Sequence, residues 1–220
     1  MNPTTSNSPI SGLYAITPEC ASTAELIRKV AAALAGGVKV IQYRQKNQFA
    51  DVQVLQAHEL RKLCSAQNAS LIINDNIELA IMVEAAGVHL GRNDMGLMAA
   101  RGLLGKQKII GISCYDQMQL AESAASASAD YIAFGAFFSS AVKPDAVRAD
   151  RAMIHAAKKK FNLPIVAIGG ISLQNAPTLL SAGADAVAVI SDLFNAPDIT
   201  AQAFAFQQLF AFQQPLAGKT

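Results

Sequence analysis

Short apolar runs recur along the chain, each followed by a stretch whose apolar residues fall at helical spacing. This alternation between a strand-like and a helix-like period is the signature of repeated βα units. Strands are predicted at Leu13–Thr17, Val38–Gln42, Leu71–Ile73, Val88–Leu90, Ile109–Ile112, Tyr131–Phe134, Ile165–Ile168 and Ala186–Val189. Helices are predicted between them, clearest at Thr23–Ala35, Phe49–Gln67, Met118–Ala127, Ala149–Phe161 and Leu173–Ser181, with a shorter one after Ile73. A last helix, Ile199–Gln213, carries Phe204, Leu209, Phe210 and Phe212. Eight parallel strands with helices between them close naturally as a (β/α)8 TIM barrel, an α/β fold in one domain.

Glycines support the same count. Ala35-Gly36-Gly37, Ala86-Gly87 and Gly183-Ala184 each fall between a helix and the next strand, where a left-handed residue lets the chain reverse. Residues 1–12 read as a loose polar arm, 13–213 as the barrel and 214–220 as a tail. No stretch reads as a linker.

With 220 residues, 52% of them hydrophobic and 15% charged, the chain can build one substantial core. Its net charge of +2 and the lack of a long basic run argue against nucleic acid as a partner. The triplet Lys158-Lys159-Lys160 suits a helix C-terminus. No apolar run approaches a membrane span, and the N-terminus lacks the features of a signal peptide. Cys20, Cys64 and Cys114 form neither a disulfide framework nor a C-x-x-C motif, which fits a reducing cytoplasm.

Chemistry in such a barrel belongs at the C-terminal ends of the strands. The second strand runs into Gln42-Tyr43-Arg44-Gln45-Lys46, where alternation sends Gln42 and Arg44 to one side and Tyr43 to the other. Arg44 offers a planar fork to phosphate oxygens and Lys46 a mobile charge. The third strand ends at Asn74-Asp75 and the fourth leads through His89 to Asp94. Each aspartate reads either as a helix cap, Asp75 with Glu78 reaching back, or as a metal ligand. Two carboxylates on neighbouring strands supply the protein's share of a Mg2+ site completed by water and phosphate. Zinc is disfavoured for want of a His or Cys cluster. His89 reads as a satisfied core histidine.

Further round the mouth, the fifth strand offers Ser113 and the sixth leads into a long loop, Gly135 to Lys143. The seventh ends at Gly169-Gly170, with Ser172 expected to cap the next helix, and the eighth ends at Ile190-Ser191-Asp192. The turns after strands seven and eight form a recurrent phosphate cup from backbone N–H groups. No Ser-His-Asp set, nucleophilic cysteine or isolated strand-end lysine appears. That pattern suits a nucleophile needing no deprotonation and a leaving group needing charge neutralisation.

These segments resemble the thiamine phosphate synthase family over roughly Leu13 to Ser191. Its Gln-Leu-Arg-Glu-Lys is similar to Gln42–Lys46, its Ile-Asn-Asp to Ile73–Asp75, and its Gly-Val-His-Leu-Gly-x-x-Asp to Gly87–Asp94. Gly-x-Ser matches Gly111–Ser113 and Ala-Ile-Gly-Gly-Ile matches Ala167–Ile171. The resemblance implies a transferase of thiamine biosynthesis. Hydroxymethylpyrimidine diphosphate would lose pyrophosphate through a pyrimidine carbocation, and the nitrogen of a thiazole phosphate would attack to give thiamine phosphate. By motif, the Gln42–Lys46 segment (Gln42, Tyr43, Arg44, Gln45, Lys46) with Asn74, Ser113 and Lys143 would hold the pyrimidine diphosphate. Asp75 and Asp94 would bind magnesium, and Ser140, Ala141, Val142, Gly170, Ile190 and Ser191 the thiazole phosphate. Of these, Arg44, Lys46, Ser113 and Lys143 are expected to act on the reacting groups.

Departures from the pattern are Tyr43 for Leu, Gln45 for Glu, and Ala136, Ser139, Ser140 and Val142 in the sixth-strand loop. Val142 lacks the hydroxyl of the usual threonine. A thiazole tautomerase-like paralogue and an inactive phosphate-binding barrel are the rival readings. The metal-diphosphate residues speak for the synthase. The Phe-rich last helix suits either a barrel cover or a contact between copies of the chain.

Overall fold

The computed structural model describes residues 10–139 and 149–211. Eight parallel strands close in sequence order: β1 (Gly12–Ile16), β2 (Val40–Tyr43), β3 (Ser70–Asn74), β4 (Gly87–Leu90), β5 (Ile109–Tyr115), β6 (Tyr131–Phe134), β7 (Ile165–Ile168) and β8 (Ala186–Val189), with β8 pairing back onto β1. Around them lie α1 (Thr23–Ala35), α2 (Ala50–Ala66), α3 (Ile77–Met82), α4 (Leu97–Leu104), α5 (Met118–Ser126), α6 (Arg151–Lys160), α7 (Ala176–Ser181), α8 (Ser191–Phe194) and α9 (Ile199–Ala211). The eight strands match the sequence expectation. Two helices carry no bounds in it: α4, expected between the fourth and fifth strands as the element that Asp94 could cap, and α8. The sequence of α4 (LMAARGLL) holds an internal glycine that weakens the helical pattern, and α8 is a single turn.

Strand alternation divides the core in two. Leu13, Ala15, Ile41 and Tyr43 point outward and pack under the helices. Tyr14, Ile16, Val40, Tyr131, Ala133, Val166 and Ala188 point inward and fill the barrel. Ile10, assigned to the loose arm in the sequence, is buried in this inner cluster. Burial of each such side chain contributes about 1.5–3 kcal/mol.

The glycine repeat has two different causes. Gly37 and Gly183 have φ of 98° and 104°, so they supply the left-handed turns expected of them. Gly87 does not. A Cβ there would lie 1.9 Å from the carbonyl oxygen of Ile109, so this glycine permits close contact of β4 with β5. The lysine triplet closes α6 as expected, with Lys158 paired to Asp185 and Lys160 to Glu122. At the base, α9 lies on α1 through Thr200 Oγ1 donating to Ala32 O and Gln207 Nε2 donating to Gly37 O. Phe206 is buried and Phe204 exposed, so α9 acts as a cover for the barrel. Cys20, Cys64 and Cys114 are buried free thiols. Among the described residues no helix is long and apolar enough to cross a membrane.

Candidate active site

A cavity of about 870 Å3 opens at the C-terminal ends of the strands. Gln42, Arg44, Asn74, Ser113, Gly170, Ile190 and Ser191 line it, so seven residues singled out in the sequence converge on one mouth. The β2 alternation holds. Gln42 enters the barrel, where its Nε2 donates to Tyr14 Oη at 2.9 Å, while Tyr43 turns outward and donates to Gln56 Oε1 on α2. Tyr43 is therefore not a cavity residue, and burial raises its phenol pKa. Gln45 is also displaced from the predicted site. Its Nε2 donates to Pro18 O and Cys20 O, which ties the β1–α1 loop to β2.

Of the charged residues predicted at the mouth and described in the structure, Arg44 lines the cavity, while Lys46, Asp75 and Asp94 are not among its lining residues and belong to a charged cluster beside it. Glu19 receives Arg44 Nη1 at 3.5 Å and the backbone N–H of Lys46 at 3.1 Å, while Lys46 Nζ lies 3.7 Å from Asp75 Oδ2. Asp75 sits at the end of β3 with φ 55°, and Asn74 Nδ2 donates to its Oδ2 at 2.7 Å. It does not cap α3. That cap is Asn76, whose Oδ1 accepts from the N–H of Leu79 at 2.8 Å. Nor does Asp94 cap α4, whose N-cap is Gly96; its Oδ2 instead accepts the N–H of Gly91 at 2.6 Å. Both aspartates are thus freed from helix capping. Burial, together with the negative charge of Asp94, raises the Asp75 carboxyl pKa against the pull of Lys46 and Arg44.

This donor set fits a magnesium ion. It has two mutually repelling carboxylates, one of them paired with Lys46 at 3.7 Å, which are the hard oxygen donors such an ion takes. Among the described residues no cluster of three or more His, Cys, Asp or Glu side chains offers an all-protein metal cage.

The opposite edge of the mouth is built mainly from backbone. Gly169 and Gly170 have φ of 103° and 60°, and a Cβ on Gly170 would lie 2.3 Å from Ser139 O. The residue before α7 is Asn175, which makes no side-chain cap. Ser172 caps the turn that leads into the helix, its Oγ accepting the N–H of Asn175 at 3.4 Å while its own N–H donates to Asn175 Oδ1. Asp192 Oδ2 accepts from Leu173 N and Gln202 Nε2, joining the β7 turn to α8 and α9. The first N–H groups of α8 follow Ile190, free of intrahelical acceptors by helix geometry. Ser140, Ala141, Val142 and Lys143 lie outside the described residues.

The floor is polar but uncharged. Tyr14, Tyr131, His89 and Ser113 meet there, and Gly111 leaves space for the Tyr131 ring, which a Cβ would reach at 1.9 Å. His89 has both ring nitrogens engaged and its pKa pushed down to about 4 by burial. It is a satisfied, neutral histidine. Sequence reasoning missed Tyr14, Tyr131, Glu19 and Arg92, the last a cavity-lining residue whose guanidinium lies 4.7 Å from the centre of the Tyr115 ring. The inward register of the two tyrosines was legible in the strand period, but the loop positions of Arg92 and Glu19 carried no pattern.

A model described as thiamine monophosphate synthase matches residues 13–193. The chain belongs to this family. A thiamine-phosphate synthase of Methylobacillus flagellatus is 52% identical over 202 residues, covering 92% of this chain and 96% of that one. One from an Azoarcus species is 48% identical, covering 92% and 98%. Thiamine phosphate pyrophosphorylase from Pyrococcus furiosus superposes with a TM-score of 0.83 at 30% identity, covering 94% of this chain and 98% of that one. Family membership makes the protein a transferase of thiamine biosynthesis. Within the family frame, the charged cluster and the backbone edge of the mouth occupy the segments that carry its motifs.

Proposed function

We propose that the protein joins hydroxymethylpyrimidine diphosphate to a thiazole phosphate, releasing pyrophosphate and giving thiamine phosphate. The observation carrying this reading is the contrast between a cation–carboxylate cluster beside Arg44 and a cup built mainly from backbone around Gly170 and Ser191, with Asp192 at its side. Two anionic groups of different charge fit these two regions. A magnesium ion held by Asp75 and Asp94 would supply charge neutralisation to the diphosphate. Arg44 and Lys46 add a fork and a point charge to the same group, and Asn74 and Gln42 orient the substrate beside them. The Gly170 turn with Ile190 and Ser191 receives the monophosphate through N–H donors.

Catalysis then rests on stabilising departing pyrophosphate. The floor offers no free base, because both nitrogens of His89 are occupied. A thiazole nitrogen needs none, since its lone pair is already free. The apolar walls, Ile16, Ala133, Val166 and Ala188, keep water from a cationic pyrimidine. The reaction acts on small molecules in the cytoplasm.

The test is pyrophosphate release from the two purified substrates with and without magnesium. Release that requires both substrates and the metal is the expected result. Release without the thiazole phosphate, or none at all, overturns the assignment.

A further inference from the structure

Five side chains from five strands form one unbroken line across the cavity floor. Gln42 Nε2 donates to Tyr14 Oη at 2.9 Å, Tyr14 Oη lies 2.7 Å from Tyr131 Oη, and Tyr131 Oη lies 2.9 Å from His89 Nδ1. His89 Nε2 then lies 2.8 Å from Ser113 Oγ. Each phenol has one proton and each contact holds one. Tyr14 accepts from the Gln42 amide; either phenol can donate in the Tyr14–Tyr131 contact, and the direction in which Tyr14 donates is the one that leaves Ser113 a donor. Tyr131, already accepting, gives its proton to His89 Nδ1. A neutral imidazole whose Nδ1 accepts must carry its proton on Nε2, and that proton goes to Ser113 Oγ. The serine hydroxyl proton remains, directed to the cavity.

We infer that Tyr14, Tyr131 and His89 are positioning residues that fix the direction of this hydrogen-bond line, making Ser113 a donor to the anionic oxygen of a bound substrate. With His89 protonated on Nδ1 instead, Ser113 donates to Nε2 and presents lone pairs to the diphosphate, and this is self-consistent with Gln42 in either orientation because a phenol oxygen accepts two hydrogen bonds. The tautomer of His89 therefore decides what the hydroxyl on β5 can do. In the inferred direction Gln42 Oε1 is the acceptor left over at one end and the Ser113 hydroxyl the donor at the other. A ligand with an N–H at one end and a phosphate oxygen at the other meets both. This inference deepens the synthase reading and rests on it for the ligand, though not for the direction of the line.

Tautomer direction is observable without any substrate. In full-length protein carrying His58→Gln and His155→Gln, both exposed positions, His89 is the one imidazole left. Its 15N spectrum at neutral pH, recorded alone and with magnesium and inorganic pyrophosphate, should show Nε2 protonated and Nδ1 bare. A proton on Nδ1 in either state overturns the inference. Kinetics supply the second arm. Tyr131→Phe should lower kcat/KM for the diphosphate about three- to tenfold, and should lower it no further in a Ser113→Ala background. Additive losses mean that Tyr131 acts apart from Ser113 and also overturn the inference. If Tyr131→Phe fails to fold, the spectrum of the intact line still decides. Failure of the unsubstituted enzyme to make thiamine phosphate removes the synthase reading and leaves the tautomer result standing.

Discussion

Asp75→Asn should make the metal-free protein slightly more stable while nearly abolishing turnover. The substitution suits the backbone, because φ of 55° lies in the left-handed region that asparagine tolerates best among side-chain-bearing residues. The Asn74 Nδ2 contact at 2.7 Å can continue to an amide oxygen. The lost partner is Lys46, 3.7 Å away with its side chain 55% exposed, and such a pair contributes about 0–1 kcal/mol. Against that loss stands the removal of a charge that burial and Asp94 disfavour. These terms win, since the pKa of the Asp75 carboxyl is raised despite Lys46 and Arg44. A raised carboxyl stabilises the fold fully below its unfolded pKa, and this contribution is lost as pH rises through the folded value. At pH 7 the ionised group is therefore a net cost, which asparagine relieves.

Because the carboxylate is 37% exposed, solvent screening holds the gain within about 1 kcal/mol. For a chain of this size that is at most about 4 °C in Tm. The gain should shrink as pH falls through the folded pKa and vanish well below 3.8, where the aspartate is protonated in the folded and the unfolded chain alike. Turnover should drop about 100- to 1000-fold, corresponding to about 3–4 kcal/mol of lost leaving-group stabilisation. Thermal melts across pH without magnesium, paired with pyrophosphate release, measure both quantities. A fall in Tm of several degrees at pH 7 would refute the reasoning and make Asp75 a structural anchor, and retained turnover would remove it from the site.

Gly170→Ala places a Cβ 2.3 Å from Ser139 O at a left-handed φ, so it should raise KM for the thiazole phosphate far more than for the diphosphate; equal changes in steady-state kinetics would show that the turn is not a phosphate cup. His89, with a folded pKa of about 4 against 6.5, binds fewer protons folded than unfolded between those values. Stability should therefore decline as pH falls from 6.5 to 4, by at most about 3 kcal/mol from this group. Denaturant titrations of wild type and His89→Asn should show a shallower acid slope in the variant, and parallel slopes would contradict the burial of the imidazole.

The barrel was legible because each strand end is marked twice, by a β-period run and by the residues that stop it. Gln42, Arg44, Asn74 and Ser113 could be aimed by alternation alone, since a strand gives its side chains only two directions. The same rule turned Tyr43 away, although its neighbours Gln42 and Arg44 line the cavity. Capping was misjudged for a different reason. Asp75 and Asn76 are both good N-caps by type, and the choice between them depends on the left-handed φ at Asp75, a tertiary constraint absent from local spacing. Gly87 looked like a turn glycine but answers to Ile109 on the next strand. Glu19 gave no sign of its role because its partners, Arg44 and Lys46, are brought to it only by the pairing of β1 with β2.

The unequal charge of these two regions makes ionic strength a way of addressing one substrate at a time. Arg44, Lys46 and the aspartates lie at or beside an open rim, where added salt shortens the reach of charge to about 10 Å at 0.1 M and about 3 Å at 1 M. The Gly170 turn and the start of α8 act through short N–H contacts that such screening barely touches. Salt should therefore slow capture of the pyrimidine diphosphate, and speed escape of pyrophosphate, while the other substrate binds almost as before. On the assignment proposed above, salt would ease the release of pyrophosphate while the N–H contacts to the thiazole phosphate persist.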